Sequence, residues 1–272
     1  MVIAAVLVVF LTVDQTLCEP ARPREDVKID AHRFHAFESK MIELRNVNPN
    51  KTYLYSIGKS IENRDMWVLA LANEKPDETV SMRPDVKLIA TLNGAQAQSK
   101  NILMQLADYM LRNQNTDPDV DFIMRNTRVH LLPVANPDGM VRSVENLCEN
   151  DTLGRPNANN VDMDQNFNDF FKCIKSPVQP ETKALATWFH HHKFTLSAHI
   201  HTGNVVVYYP FDDYPGSPDG SFYSATAYDN EFKAMSLDYT ATHPYMRKLT
   251  CPGKRNFTNG IVRLLAYAGF NF

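Results

Sequence analysis

The segment from Val86 to Leu92 is an apolar run of strand length, and the chain after it changes to a helical period, with Ile102, Leu103, Leu106, Tyr109 and Met110 on one stripe. A strand with apolar residues on both faces has to be covered on both, and a helix that follows directly supplies one cover. Such a βα unit commits the chain to a sheet containing parallel strands, flanked by helices. The pattern recurs along the sequence. Val129 to Val134 reads as a second buried strand, closed by the turn Asn136-Pro137-Asp138-Gly139. Glu181 to His192 reads as a helix, Phe194 to Ile200 and Asn204 to Tyr209 as strands, and about Ser221 to Thr240 as a last helix. Upstream, Phe37, Met41 and Leu44 mark a helix over about Ala36 to Leu44, followed by short strands at Tyr53 to Ile57 and Met66 to Ala72. The stretch from Cys148 to Asp169 is rich in Asn and Asp without apolar periodicity and is predicted to be a long loop. With no linker, repeat or low-complexity region, these elements predict one α/β domain on a mixed β-sheet with helices on both faces.

Composition narrows the classes further. The 272 residues are 44% hydrophobic, with 15 Phe, 11 Tyr and 2 Trp, enough apolar surface to offset the ordering entropy of a sizeable core and so to exclude disorder. The formal charge of −3 speaks against a nucleic-acid binder. The longest apolar run, Val2 to Val13, is too short to cross a bilayer, so no transmembrane anchor is expected. Followed by Thr16-Leu17-Cys18, it reads as a secretory signal peptide over residues 1–18, cut before Glu19, which leaves 19–272 as the domain. No Lys or Arg precedes it, so a buried N-terminal segment is the alternative. Sequons at Asn50, Asn150 and Asn256 agree with a secreted, extracellular glycoprotein. Once Cys18 leaves with the signal peptide, Cys148 and Cys173 flank the polar stretch and are placed to close it as a disulfide loop, with Cys251 left over; three free, buried thiols are the alternative.

Several familiar motifs fail. Gly58-Lys59-Ser60 resembles the end of a phosphate loop, but Tyr53 stands where its first glycine is required. Neither a Gly-x-Ser-x-Gly elbow nor a His-Glu-x-x-His helix is present. In the run His190-His191-His192 consecutive side chains diverge by about a hundred degrees on a helix, and cations suit a helix C-terminus, so the run is read as structural.

A more informative set follows in order along the chain: Tyr55-Ser56-Ile57-Gly58-Lys59-Ser60, the segment Leu88 to Leu103, Asn126-Thr127-Arg128-Val129-His130, Asn136-Pro137-Asp138-Gly139, Gly154-Arg155 through Asn166-Phe167, Gln179-Pro180-Glu181-Thr182, Ser197-Ala198-His199-Ile200-His201 and Tyr209-Pro210-Phe211-Asp212-Asp213. As a set, from about Asp30 to about Gly260, it resembles the zinc metallocarboxypeptidases, in particular the regulatory N/E group that includes carboxypeptidases N, E, M and D. The resemblance implies a carboxypeptidase-like fold whose zinc is held by a His-x-x-Glu after a strand and by one later His, an open three-ligand site. This chain has Asn93 and Gln96 at the first two positions, and His201 alone remains as a vestigial metal ligand. Neutral amides are poor zinc ligands, so no cofactor is expected.

Where the family reads a peptide's terminal carboxylate with an Asn-Arg pair, this chain has Asp164-Gln165 within Asp162-Met163-Asp164-Gln165-Asn166-Phe167. A bidentate cation has become an amide, and a carboxylate stands where a carboxylate should dock, an opposition of about 1–4 kcal/mol. Arg155 matches the arginine that polarises the scissile carbonyl, and Asp212 the acidic residue that favours Lys or Arg at the substrate end, so both are vestigial substrate-binding residues. The family's closing strand, with its general-base Glu, and its last helix have no counterpart in Ile261 to Phe272, and Tyr267 lies near the expected family tyrosine among unmatched neighbours. In the family the loop flanked by Cys148 and Cys173 is held closed, and the partner of Cys251 lies in the absent segment.

Metal, carboxylate recognition and base act on one bond in one transition state, and none is intact. The expected function is therefore that of a secreted carboxypeptidase-like protein without catalysis, a pseudoenzyme or short isoform, that binds peptides ending in Lys or Arg or a protein partner. The alternatives are an active zinc carboxypeptidase with rearranged ligands drawn from His199, His201 and Asp164, and a truncated product without function whose sheet edges are left open.

Overall fold

A computed structural model describes residues 5–11, 31–143, 153–168, 176–202, 207–210, 225–243, 246 and 261–263. In chain order the elements are β1 (Ala5–Leu11), α1 (Ala31–Val47), β2 (Thr52–Lys59), β3 (Asp65–Leu71), β4 (Asp85–Ala90), α2 (Gln98–Asn113), α3 (Pro118–Asn126), β5 (Arg128–Leu132), α4 (Pro137–Arg142), α5 (Pro180–His191), β6 (Phe194–Thr202), β7 (Val207–Tyr209), α6 (Asp229–Thr242) and β8 (Ile261–Arg263). No described helix is long and apolar enough to cross a membrane.

The strands form one mixed sheet in the order β2-β3-β5-β4-β6-β1-β7-β8. β4 runs parallel to both β5 and β6, and β3 is antiparallel to β2 and β5. Strand alternation divides the core between the two faces. On one face Val129, Leu131, Ala198 and Ile200 pack with Phe37 and Met41 of α1 and Leu103 and Met110 of α2. On the other, Met66, Val68, Ile89 and Leu132 pack with Leu185 and Trp188 of α5. Helices on both faces of a mixed sheet are what the sequence pattern predicts.

Two elements differ from that reading for local reasons. α3 has no counterpart in it, because a nine-residue helix offers little periodicity; its start is set by Asp117, whose Oδ1 accepts from the N–H groups of Asp119 and Val120, and by Pro118 in the first turn. The turn Asn136 to Gly139 continues into helix α4: Asn136 Oδ1 caps the Gly139 N–H at 2.9 Å and Pro137 occupies the first position.

Ala5 to Leu11, within the N-terminal apolar run, form a strand of the sheet. β1 lies parallel to β6 from Ala5↔Leu196 to Leu11↔Thr202 and antiparallel to β7 at Val8↔Tyr208 and Val9↔Val207. The facing edges of β6 and β7 are therefore hydrogen-bonded. An uncharged, valine-rich run has the composition of a strand with neighbours on both sides. The expected cut before Glu19 lies outside the described residues, as do Cys148, Cys173, Cys251, Asn150, Asn256, Asp212 and Tyr267.

Candidate functional site

The carboxyl ends of β4 and β6 and the segment 153–168 meet in one cleft. β4 leaves the sheet through Thr91, held at φ 53°, a left-handed conformation that costs a β-branched residue about 1–3 kcal/mol. The neighbourhood fixes it: the Thr91 N–H donates to Ser99 Oγ at 3.0 Å, and Ser99 Oγ donates to Gln96 O at 2.7 Å. Asn136 Nδ2 donates to Leu92 O and Arg155 O, tying three loops together. The contact is backbone on backbone. A Cβ on Gly94 would lie 2.3 Å from Gly154 O, and Gly154 itself has φ +77°.

The motifs that carry the resemblance serve this scaffold. Asp138 accepts from Ser60 Oγ at 2.7 Å, from the Glu62 N–H at 3.0 Å and from Arg64 Nη1 at 2.6 Å. Asn166, fully buried, accepts from the Gln179 N–H and Thr182 Oγ1 and donates to Ser176 Oγ and Pro177 O.

Asn93, Gln96 and His201, the positions compared with family zinc ligands, come together here, each engaged with the protein itself. Asn93 is 5% exposed and its Oδ1 accepts from the Ala95 N–H at 3.0 Å. Gln96 Nε2 donates to Thr202 O at 3.1 Å, beside His201. His201 Nε2 is 2.8 Å from His199 Nδ1. Burial pushes the His199 imidazole down to about 3; burial, His199 and Arg155 hold His201 well below its ordinary value. Two amides and one imidazole already bonded to its neighbour do not fit a zinc ion at this position.

Arg155 reaches the same cleft, with Nε 2.8 Å from Asp162 Oδ2 and Nη2 3.5 Å from Asp164 Oδ2. Asp164 is 5% exposed, and Gln165, standing for the family arginine, is exposed. The guanidinium is thus flanked by two carboxylates of its own chain.

A second cluster lies at the opposite, amino ends of the parallel strands. Asp85 opens β4, His130 is on β5, and His192 follows α5; their ligand atoms all lie within 4.8 Å of one another. Arg128 grips Asp85 with Nε to Oδ1 at 2.8 Å and Nη2 to Oδ2 at 2.7 Å. His130 Nδ1 is 2.8 Å from Tyr55 Oη, which accepts from Trp188 Nε1 at 2.9 Å. Burial works to raise the Asp85 carboxyl, but polar contact with His130 and Arg128 holds it well below the carboxylate range. Burial, reinforced by His130 and Arg128, lowers His192 to about 4. Nearby on β4, Lys87 places Nζ 3.4 Å from the centre of the Phe189 ring, and burial pushes its ammonium down to about 6. The sequence reading missed this cluster. Its members are far apart in the chain and share no spacing motif, and His192 sat in a run read as structural. Among the described residues this is the set of three acidic, His or Cys side chains placed to hold a metal, and His199, His201 and Asp164 do not form one.

Residues 37–268 match the family model described as zinc carboxypeptidase. The chain is 36% identical over 228 residues to carboxypeptidase D of Homo sapiens, covering 84% of this chain and 16% of that protein, and 34% identical over 236 residues to carboxypeptidase M of Mus musculus, covering 85% and 53%. It therefore spans about a sixth of the first and about half of the second. Among solved structures, carboxypeptidase A from Helicoverpa armigera superposes with a TM-score of 0.64 at 17% identity, over 88% of this chain and 59% of that one, a likeness of fold.

These findings correct the expectation that no cofactor is bound. The family match and the Asp85, His130 and His192 group both point to zinc. That expectation weighed the positions after β4 alone, whereas the pairing of β4 with β5 and the packing of α5 assemble other donors.

Proposed function

Because this chain belongs to the zinc carboxypeptidase family, we propose that it is a secreted member that binds peptides or a protein partner in the cleft between β4, β6 and segment 153–168 without hydrolysing them. The observation that carries this reading is the internal engagement of Asn93, Gln96 and His201. With the Asn93 oxygen turned to the Ala95 N–H, the Gln96 amide to Thr202 O and His201 to His199, peptide hydrolysis lacks its electrophile there. Arg155 supports the same conclusion. A guanidinium paired with Asp162 and facing Asp164 is already neutralised, so a substrate carbonyl or carboxylate has to compete with two fixed carboxylates for it. Binding demands less than hydrolysis, because a peptide can take its affinity from apolar and backbone contacts along a cleft without any group aimed at a transition state. The sequons at Asn50, Asn150 and Asn256 support export.

The test is incubation of the purified chain with peptides ending in Lys or Arg, with zinc present, followed by mass spectrometry and by equilibrium binding on the same samples. Saturable binding with intact peptide is expected. Chelator-sensitive release of the terminal residue would overturn the proposal, as would the absence of binding to any peptide or partner.

A further inference from the structure

We infer that Asp85, His130 and His192 form a zinc-class divalent cation site that ties the end of α5 to β4 and β5, at the end of the sheet opposite the cleft. The geometry of one pair carries the argument. His130 Nε2 is 3.6 Å from Asp85 Oδ1. That is too long for a hydrogen bond, and close to the separation of about 3.3 Å between two ligands of a tetrahedral zinc with bonds of about 2.0–2.1 Å. His130 is 1% exposed, and Nε2 has no hydrogen-bond partner among the described residues, so a buried polar atom is left aimed at the carboxylate.

The surroundings orient the donors as outer-shell partners of a metal do. The other His130 nitrogen meets Tyr55 Oη at 2.8 Å, and in the Nδ1–H tautomer it donates there and leaves the Nε2 lone pair facing Asp85. Tyr55 is in turn held by Trp188 Nε1 at 2.9 Å. Asp85 accepts from Arg128 through both oxygens, yet a carboxylate offers about four lone-pair sites, so the Oδ1 side toward His130 remains available. Arg128 places a positive charge beside the cation, which predicts modest affinity rather than a tightly held structural ion. His192, half-buried at the end of α5, opens the cluster to solvent and provides the path of entry. Three protein donors leave a fourth position for water.

The experiment uses the full chain stripped of metal with a chelator. Zinc titration against a chromophoric competitor should give a saturable site that His192→Ala weakens about tenfold or more and Tyr55→Phe also weakens, since loss of an outer-shell bond costs about tenfold or more. His201→Ala should leave it unchanged. Asp85→Asn strips a buried arginine of its partner and can fail to fold, so His192→Ala, confirmed folded by circular dichroism, is the deciding variant. A second measurement needs no variant: zinc should protect His192 from diethylpyrocarbonate while the exposed His190 and His191 react as before. No saturable zinc binding, binding that follows His201 rather than His192, or equal modification of His192 with and without zinc would each overturn the site.

Discussion

His201 Nε2 is bonded to His199 Nδ1 at 2.8 Å, two residues apart on the same face of β6, with both rings buried. The bond joins the imidazole compared with a family zinc ligand to a neighbour on its own strand. It also binds both side chains to acid sensitivity. A histidine whose folded value lies near 3 is neutral in the native chain and takes up a proton near its ordinary value, 6.5, once unfolded. Between those limits the unfolded state holds more protons, so stability is complete above about pH 6.5 and falls as pH drops, at most about 1.4 kcal/mol per pH unit for each ring. Urea midpoints should decline from about pH 7 to about pH 4.5, and His199→Asn should make the decline shallower. A flat profile over that range would count against the buried pair.

Lys87 extends the same rise into the alkaline range. Burial lowers its ammonium to about 6 from an ordinary 10.5, so between those values the unfolded chain holds the extra proton and stability rises with pH. Thermal midpoints should be higher near pH 9.5 than near pH 7, and Lys87→Met should remove much of that gain while raising the midpoint at neutral pH. A Lys87→Met chain less stable at pH 7 would mean that the ring contact with Phe189 outweighs the desolvation.

The cleft should accept repair in parts. Asn93→His with Gln96→Glu adds an imidazole and a carboxylate beside His201, and the doubly substituted chain should bind one more zinc than the unmodified one when both are dialysed and analysed for metal. It should still fail to release C-terminal Arg, because Asp162 and Asp164 continue to hold Arg155. Turnover in that variant alone would show that the Arg155 pairing is no obstacle.

Removing one of those carboxylates should be felt by ligands. Asp164→Asn takes a negative charge from beside Arg155, and peptides with a free C-terminal carboxylate should then bind about tenfold tighter than their amidated forms, about 1.4 kcal/mol at contact distance. Equal affinities for acid and amide would place the peptide terminus elsewhere.

β1 makes the fifth test. A chain beginning at Glu19 lacks the strand that pairs with β6 from Leu196 to Thr202 and with β7 at Val207 and Tyr208. Those edges then lose their ladder bonds. The shortened chain should melt lower than the full one, by about 2–4 °C for each kcal/mol lost, and bind more apolar dye. Equal melting temperatures would show that β1 adds nothing to the sheet's stability.

The sequence by itself determined the layered fold and the identity of the residues in the cleft. Apolar runs at Val86 to Leu92 and Val129 to Val134, followed by helical periods or turn residues, dictate strands buried on both faces, because local periodicity is set by backbone geometry that each segment carries alone. Ordered motifs mark Asn93, Gln96, Arg155, Asp164 and His201 as one set, and the fold places them at one end of the sheet. Tertiary structure decided what those side chains do. Whether Asn93 offers its oxygen outward or to Ala95, and whether Arg155 is free or gripped by Asp162, depends on the shapes of two loops that are fixed where Gly94 packs on Gly154 and Arg155, some sixty residues away in the chain. It also pairs Ala5 to Leu11 with β6 and β7, which a valine-rich run that suits a signal peptide and an interior strand equally does not reveal by itself. The Asp85, His130 and His192 cluster had no sequence signature at all, because its donors come from two paired strands and a helix end that become neighbours only when β4, β5 and α5 pack.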